Sequence, residues 1–145
     1  MIRRETDYAV RAVLWLAQNQ TLPEAAPVST KYLADITGVP YRFLRKIVLS
    51  LAHAGILISR KGKKGGLTLG REPQHISLLD LMLIVEPESV LLNQCTIPQA
   101  APCQHQSNCG FHQVLGNVQQ LLQSQLADIS LQDMTTAESP PSLAG

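Results

Sequence analysis

The sequence predicts a mainly α-helical protein: a winged helix-turn-helix with a small β-hairpin as its wing, followed by a long C-terminal helix. Three observations support this fold class. Apolar residues recur at helical spacing in several segments, a glycine separates two helical segments in the first half, and a glycine- and lysine-rich turn joins two short apolar strands. The 145 residues, 45% hydrophobic and 16% charged, suffice for one globular unit with an added element.

The first helix is predicted to run from Asp7 to Asn19. The hydroxyl of Thr6 is suited to cap its N-terminus, and Asp7 places a carboxylate in the first turn, where it suits the positive end of the helix dipole. Residues 20–28 contain two prolines and are predicted to form a loop. The apolar stripe of the helix consists of Tyr8, Ala9, Ala12, Val13 and Leu16.

Two further helices, separated by a turn, form the helix-turn-helix pattern. The shorter has Ser29 or Thr30 as its cap and ends at Gly38, because glycine readily adopts the left-handed conformation of a helix end. The longer is predicted over Pro40–Ala54, where proline suits the first turn, and it has a cationic outer face. The apolar positions are Tyr32, Leu33 and Ile36 in the shorter helix and Leu44, Ile47, Val48, Leu51 and Ala52 in the longer one.

The wing is predicted from the strands Ile56–Arg60 and Leu67–Leu69 around a cationic turn. Residues 76–85 are apolar nearly all round and predict a buried helix with Ser77 as its cap. The last long helix, Phe111–Ile129, has an apolar stripe that one small winged domain does not cover fully. We therefore expect it to be a dimerisation helix, with packing inside its own chain as the alternative. The stripe consists of Phe111, Val114, Leu115, Val118, Leu121, Leu122, Leu126 and Ile129.

The predicted organisation has three parts: a winged helix-turn-helix DNA-binding domain at residues 1–75, a cysteine loop and dimerisation helix region at 76–134, and a disordered tail at 135–145. No apolar run is long enough for a membrane span and no secretion signal precedes the first helix, so we expect a cytoplasmic protein without a membrane partner. The turn at 61–66 lacks the spacing of a phosphate-binding loop, and no nucleophile with an oxyanion element is identifiable. The sequence therefore does not predict an enzyme.

The charges are segregated along the chain. All 12 lysines and arginines lie in residues 1–71 with four acidic residues, whereas residues 72–145 contain the other seven acidic residues. This asymmetry indicates that the first half meets a polyanion such as DNA. Eight cations fall between residues 41 and 71 with no acidic residue in that interval: Arg42, Arg45, Lys46, Arg60, Lys61, Lys63, Lys64 and Arg71.

Individual roles follow from positions along the helix and the wing. Arg42 and Arg45 lie in the first turns of the recognition helix, which reach base edges in the major groove, so we predict that they read the sequence. Lys46 is predicted to contact phosphate. Tyr41 or Phe43 is predicted to lie against the DNA backbone or a thymine methyl group, and the alternative for Phe43 is a place in the core. The wing cations are expected to lie along or enter the minor groove. The predicted DNA-binding set is Tyr41, Arg42, Phe43, Arg45, Lys46, Arg60, Lys61, Lys63 and Lys64.

Three cysteines lie close together in the second half of the chain. Seven residues separate Cys95 from Cys103, five separate Cys103 from Cys109, and His112 follows three positions later. An odd number of cysteines excludes a complete disulfide framework, and these gaps are wider than those of zinc knuckles. Thiolates are natural ligands of iron–sulfur clusters, and wide gaps suit a loop around a bulky group. A cluster, a zinc ion and metal-free redox-sensing thiols all remain open at this point.

Taken together, these segments resemble the Rrf-two family of bacterial transcription regulators, which includes the IscR and NsrR types. The resemblance covers residues 1–134: the opening Thr-Asp-Tyr-Ala-Val-Arg-Ala at 6–12, the helix-turn-helix, the wing at 60–66, the three-cysteine loop and the closing segment 129–134. It implies a homodimeric winged-helix regulator whose three cysteines hold a 2Fe-2S or 4Fe-4S cluster that alters operator binding. It also implies recognition-helix positions at Arg42, Phe43, Arg45 and Lys46, and a minor-groove position at Arg60.

The resemblance offers two candidates for the fourth cluster ligand. His112 matches the histidine that binds the 2Fe-2S cluster in the IscR type, whereas Asp7 matches the aspartate that NsrR-type proteins supply from the partner subunit to a 4Fe-4S cluster. The Glu86-Pro87 pair before the loop is NsrR-like, and the first cysteine gap is longer than the five residues usual in both types. The alternative to a ligand role is that Asp7 serves only as a carboxylate at the start of a helix, and that His112 is only a surface residue of a helix.

The sequence thus predicts a DNA-binding transcriptional regulator, a repressor, whose operator affinity is controlled by an iron–sulfur cluster that senses nitric oxide, redox state or iron–sulfur status. One alternative is a zinc-stabilised or cluster-free thiol-redox regulator on the same fold. Another is a partner module in metal-cluster assembly that does not bind DNA. The expected partners are a double-stranded DNA operator and a second copy of the chain.

Overall fold

The computed structural model of the chain describes residues 3–20, 24–96 and 101–136. Two strands, β1 (Leu57–Arg60) and β2 (Gly66–Leu69), form an antiparallel hairpin in which Leu57 lies opposite Leu69 and Arg60 opposite Gly66. Single 3-10 turns lie at 73–75, 87–90, 94–96 and 106–108. The helices are α1 (Arg4–Asn19), α2 (Thr30–Thr37), α3 (Tyr41–His53), α4 (Leu78–Val85), α5 (Gly110–Asp128) and α6 (Leu131–Thr136).

The hydrophobic core lies where α1, α2 and α3 meet the hairpin, and the C-terminal segment returns to it. Leu16, Leu33 and Leu44 are fully buried in this core, as is Leu131 of α6. The backbone around residue 130 pairs with the backbone around Ser77, and the amide of Leu131 donates to the carbonyl of residue 76 at 2.7 Å. The last helix therefore packs on the same core as the helix-turn-helix.

The N-terminus of α1 differs from the prediction. The helix begins at Arg4 rather than Asp7, and Thr6 lies buried in its first turn instead of capping it. The hydroxyl of Thr6 donates to Oε2 of Glu86 at 2.6 Å, and the amides of Arg3 and Thr6 donate to the same oxygen at 3.3 Å. Thus a carboxylate distant in sequence caps this helix end, where a negative charge is favourable.

The helix-turn-helix follows the predicted plan. The hydroxyl of Ser29 accepts a hydrogen bond from the amide of Tyr32 at 3.0 Å, and α2 ends at Gly38 with φ of 69°. Helix α3 is one residue shorter at each end than predicted and buries Leu44, Ile47, Val48 and Leu51 as expected. In α2, Leu33 and Ala34 face the core, whereas Tyr32 and Ile36 of the predicted apolar stripe are half exposed.

The hairpin is fastened to the body of the molecule by Gln20, the buried residue that follows α1. Its side-chain amide donates to the carbonyl of Leu67 at 3.0 Å, and its carbonyl accepts from the amide of Leu69 at 3.2 Å. The backbone of Val28 pairs with Leu67 through two further hydrogen bonds, of 3.1 and 2.7 Å. The strand β2 is therefore bonded to β1 on one side and to Gln20 and Val28 of the body on the other.

Neither α4 nor α5 is buried on all sides. Helix α4 begins with a capping box between Ser77 and Asp80, but Leu83 is exposed, so the predicted burial on all sides is wrong. Helix α5 has no fully buried residue. Helix α6 extends to Thr136, two residues into the predicted tail, and the rest of that tail lies outside the described residues. Among the described residues, no helix is long and apolar enough to cross a membrane.

Candidate nucleic-acid interface and cysteine site

The outer face of α3 presents the cations that the sequence assigned to DNA recognition. Because Leu44, Ile47, Val48 and Leu51 hold the opposite face in the core, helical periodicity directs the remaining positions outward. Arg42 lies one turn before Arg45 and Lys46, so the three form one stripe. The exposed members of the predicted set on this helix are Tyr41, Arg42, Arg45 and Lys46.

Two aromatic rings support the arginines of this stripe. The guanidinium carbon of Arg42 lies 4.7 Å from the ring centroid of Phe43, and that of Arg45 lies 5.9 Å from the ring centroid of Tyr41. Phe43 is half-buried and packs against Tyr8 of α1, with ring centroids 6.0 Å apart. Phe43 therefore anchors the start of α3 on α1 and also supports an arginine.

The tip of the wing carries Arg60, Lys61, Lys63 and Lys64, all exposed. Its shape depends on glycine: a Cβ atom added at Gly65 would lie 2.1 Å from the carbonyl oxygen of Arg60, closer than any real Cβ atom approaches. This close approach closes a tight turn between the two strands. Three lysines are thereby concentrated within four residues at the end of a short hairpin.

These cations have no carboxylate partner in the described part of the chain. The ion pairs there join Arg3 to Glu88, Arg11 to Asp7, and His75 to Glu72. We define the cationic surface as the exposed cations of α3 and the wing. Because none of them forms an ion pair with a described carboxylate, they are available to phosphates. The members of the cationic surface are Arg42, Arg45, Lys46, Arg60, Lys61, Lys63 and Lys64.

The three cysteines are free thiols in different surroundings. Cys95 is half-buried in the 3-10 turn at 94–96, whereas Cys103 is exposed. Cys109 is half-buried at the N-terminus of α5, where its sulfur accepts a hydrogen bond from the amide of His112 at 3.4 Å. Two of the thiols therefore lie in the loop, and the third caps the long helix.

Cys95, Cys103 and His112 line one cavity of about 560 Å³ against a glutamine-bearing side of α5. Within the residues that the structure describes, no three His, Cys, Asp or Glu side chains are grouped as a metal site. Nδ1 of His112 is buried and has no hydrogen-bond partner among the described residues. The other ring nitrogen, Nε2, lies 3.3 Å from Nε2 of Gln106. Sulfur and imidazole nitrogen are donors that suit an iron–sulfur cluster, so the donor set fits in kind.

Asp7, the other candidate for a fourth ligand, lies on α1. Its side chain is exposed, and its carboxylate accepts a hydrogen bond from Nη2 of Arg11 at 2.6 Å. It is not among the residues that line the cavity around Cys95. Within one chain it is therefore a helix-surface carboxylate, accessible to a second copy.

A family model matches residues 2–137 of the chain, and it describes the Rrf2 (Rrf-two) family as an iron-dependent transcriptional regulator. The chain belongs to the Rrf2 family. This confirms the resemblance found in the sequence, and it agrees with the prediction of a regulator rather than an enzyme.

Known relatives match nearly the whole of this Rrf2-family chain. The transcriptional repressor NsrR of Streptomyces coelicolor is 29% identical over 140 residues, which cover 97% of the chain and 91% of that protein. The structure of T. potens IscR is 25% identical and covers all of this chain and 93% of that one, with a TM-score of 0.69. CymR, the global cysteine regulator of B. subtilis, is 20% identical and shares the fold, with coverage of 94% and 96% and a TM-score of 0.66. The predicted winged-helix fold class is confirmed.

The sequence did not reveal how the segment that follows α4 in this Rrf2-family protein contacts α1 and α5. Glu86, at the end of α4, holds the start of α1, and Glu86, Glu88 and Lys46 of α3 all line one cavity of about 330 Å³. On the other side, the amide of Leu92 donates to Oε1 of Gln119 in α5 at 3.2 Å. The only sequence signal was the Glu86-Pro87 pair, because the contacting residues are distant in the chain.

Proposed function

We propose that this Rrf2-family regulator is a homodimeric DNA-binding repressor whose operator affinity is controlled by an iron–sulfur cluster in its cysteine region. The observation that carries the DNA-binding part is the cationic surface, which has no internal carboxylate partner in the described residues. The proposed signals are nitric oxide, redox state and iron–sulfur supply. Its proposed location is the cytoplasm, where operator DNA lies.

DNA binding is assigned to residues 1–75. Arg42 and Arg45 are assigned to base edges in the major groove, because they are exposed at the start of α3 and a guanidinium group donates two parallel hydrogen bonds to guanine. Lys46 and Tyr41 are assigned to the DNA backbone. The wing cations, together with Arg60 at the end of β1, are assigned to the minor groove and its phosphates. Release of condensed counterions by these cations supplies affinity that does not depend on base sequence.

The apolar stripe of α5 supports the dimer. Phe111, Val114 and Leu121 are 64%, 59% and 64% exposed, and they recur at the spacing of one helix face. Such a stripe is covered most simply by the same stripe of a second copy, since a two-fold interface is self-complementary. Two-fold symmetry then presents two α3 helices to the half-sites of a near-palindromic operator.

Cys95, Cys103 and Cys109 are the proposed cluster ligands, with His112 or Asp7 of the partner subunit as the fourth. The support is the shared cavity around Cys95, Cys103 and His112, and the position of Cys109 one helical turn before His112. A bound cluster supplies a centre that reacts with oxidants and nitric oxide. Replacing the fourth ligand distinguishes the two candidates: His112→Ala or Asp7→Ala, but not both, is expected to change the visible spectrum of the anaerobic protein.

The proposed control of DNA binding follows from contacts of the chain itself. The segment between α4 and α5 bonds to α1 through Glu86 and to α5 through Leu92, while Cys109 caps α5. A rearrangement of this segment therefore changes the position of α5 relative to α1. In a dimer joined through α5, such a change alters the spacing and tilt of the two α3 helices, and it shifts the population that fits the operator.

The cluster part is tested by purifying the protein anaerobically and measuring iron, zinc, acid-labile sulfide and the visible spectrum. The same preparation is then titrated against operator DNA before and after the cluster is removed. We expect iron and sulfide in the protein and a clear difference between the two affinities. Zinc without sulfide would favour the zinc-stabilised regulator. Metal-free protein whose DNA binding depends on oxidant would favour the thiol-redox regulator. Equal affinities with and without the cluster would exclude a sensing role.

The DNA-reading part is tested with single alanine variants. Arg42→Ala and Arg45→Ala are expected to cost about 1–3 kcal/mol each on the operator and to relax discrimination between sequences. Lys63→Ala is the matched control in the wing, because loss of a phosphate contact weakens binding to all sequences alike. A uniform loss from all three variants would contradict the assignment. Absence of binding to any genomic operator fragment would favour the partner module in cluster assembly.

A further inference from the structure

A leucine continues the cationic face of α3 toward the C-terminal end of the helix. Leu49 is 69% exposed, more than any other large hydrophobic side chain that the structure describes. It lies seven residues after Arg42 and four after Arg45, and at about 100° per residue both separations return to the same side of the helix. Leu49 therefore lies in line with the two arginines assigned to base edges, at the exposed surface.

A leucine in this position lacks a partner of its own chemistry on the same face. Its neighbours one turn earlier are the cations Arg45 and Lys46, its exposed neighbour one turn later is His53, and the apolar core positions of α3 lie on the opposite side. Exposed apolar surface gains stability when it leaves water, so this side chain favours a ligand that offers an apolar group among negative charges. In the major groove of DNA, that group is the C5 methyl of thymine.

The reach of α3 fits this contact. Seven residues advance an α-helix by about 10.5 Å at 1.5 Å per residue, which corresponds to about three base pairs at 3.4 Å each. Recognition helices of homeodomains contact bases over the same seven-residue span. A helix whose first turns reach base edges can therefore place its ninth residue, Leu49, against another base of the same half-site.

We propose that Leu49 is a specificity-determining residue that contacts the methyl group of a thymine about three base pairs from the base that Arg42 contacts. The proposal rests on the proposed DNA-binding function and adds to it a preference at a second position of each half-site. Because the contact is apolar, it discriminates thymine from cytosine by the methyl group. Its contribution to affinity is independent of salt concentration, unlike that of the phosphate contacts.

The test uses the full chain, and its probe is the duplex enriched from a random pool by the wild-type protein. Each thymine of one half-site is replaced singly by deoxyuridine, which removes only the methyl group. For the wild-type protein, we expect one such replacement to weaken binding about fourfold, the value for one buried methyl-sized group. Leu49→Ala is expected to bind the unmodified duplex about as weakly as the wild type binds that modified one, and to be insensitive to the replacement.

Two further variants complete the design. Leu49→Met keeps an apolar side chain and should restore the response to the methyl group, whereas Ile36→Ala, a half-exposed apolar position on α2, should respond as the wild type does. The proposal is overturned if Leu49→Ala keeps the wild-type sensitivity at every thymine, if it weakens all duplexes equally, or if the enriched duplex has no thymine at the expected distance. Failure to enrich any sequence would instead refute the proposed DNA-binding function.

Discussion

The buried carboxylate of Glu86 offers a quantitative test of how the end of α4 holds the start of α1. In Glu86→Ala, Oε2 and its three hydrogen bonds are lost, and the hydroxyl of the buried Thr6 loses its acceptor. A hydrogen bond to a charged group contributes about 1.5–3 kcal/mol, and a lost helix cap costs about 0.5–2 kcal/mol. Since the three bonds share one oxygen, they do not add fully. We expect the free energy of unfolding to fall by about 3 kcal/mol.

The assay is urea unfolding at neutral pH, followed by far-ultraviolet circular dichroism. Glu88→Ala is the matched control, because Oε2 of the exposed Glu88 lies 3.8 Å from Nη2 of Arg3 in a surface ion pair. Loss of this pair should change the free energy of unfolding by less than about 0.5 kcal/mol. A double-mutant cycle with Thr6→Val isolates the 2.6 Å contact and should give a coupling energy of about 1 kcal/mol or more. The reasoning fails if Glu86→Ala matches Glu88→Ala, or if the effects of the two cycle mutations simply add.

Three other predictions concern the dimer, the wing and the last helix. If the protein forms the proposed dimer through α5, Leu121→Glu should give a monomer in analytical ultracentrifugation, and an unchanged dimer would exclude α5 as the interface. Gly65→Ala places a methyl group 2.1 Å from the carbonyl of Arg60, so it should weaken DNA binding with little loss of helix signal; wild-type affinity would contradict this. Hydrogen bonds from the side chain and backbone of Ser130 hold the pKa of Asp133 below its ordinary value of 3.8. The stability gained is present above pH 3.8 and lost as pH falls through the folded pKa, so the difference in Tm between wild type and Asp133→Asn should vanish in acid.

Local patterns predicted α2, α3 and the hairpin because these elements are fixed largely by neighbours in sequence. The cap at Ser29, the left-handed turn at Gly38 and the alternation of buried and exposed positions along α3 all depend on residues within one or two turns. The hairpin followed equally from its glycine-rich turn. Composition and spacing therefore sufficed for the fold class and for the exposure of the cations.

Contacts between distant segments were not predictable in this way. The partners of Gln20 lie 47 and 49 residues away, and Glu86 binds a helix whose start was placed three residues too late because Thr6 resembled a local cap. The cysteines raise a similar problem, since their spacing limits the ligand types without fixing which side chains share a cavity. Spatial proximity there depends on how the loop lies against α5, which periodicity does not encode.

The attachment of the wing has a consequence for how binding energy is distributed. Because Gln20 and Val28 already hold β2, the hairpin is pre-organised, and the proposed contact of its lysines with a duplex would cost little conformational entropy. A hairpin that ordered only on contact would lose part of its interaction energy to that ordering. For a pre-organised wing, we expect the difference in affinity between two operator sequences to depend on how well the protein contacts each of them. This difference should appear mainly in the dissociation rate of the complex.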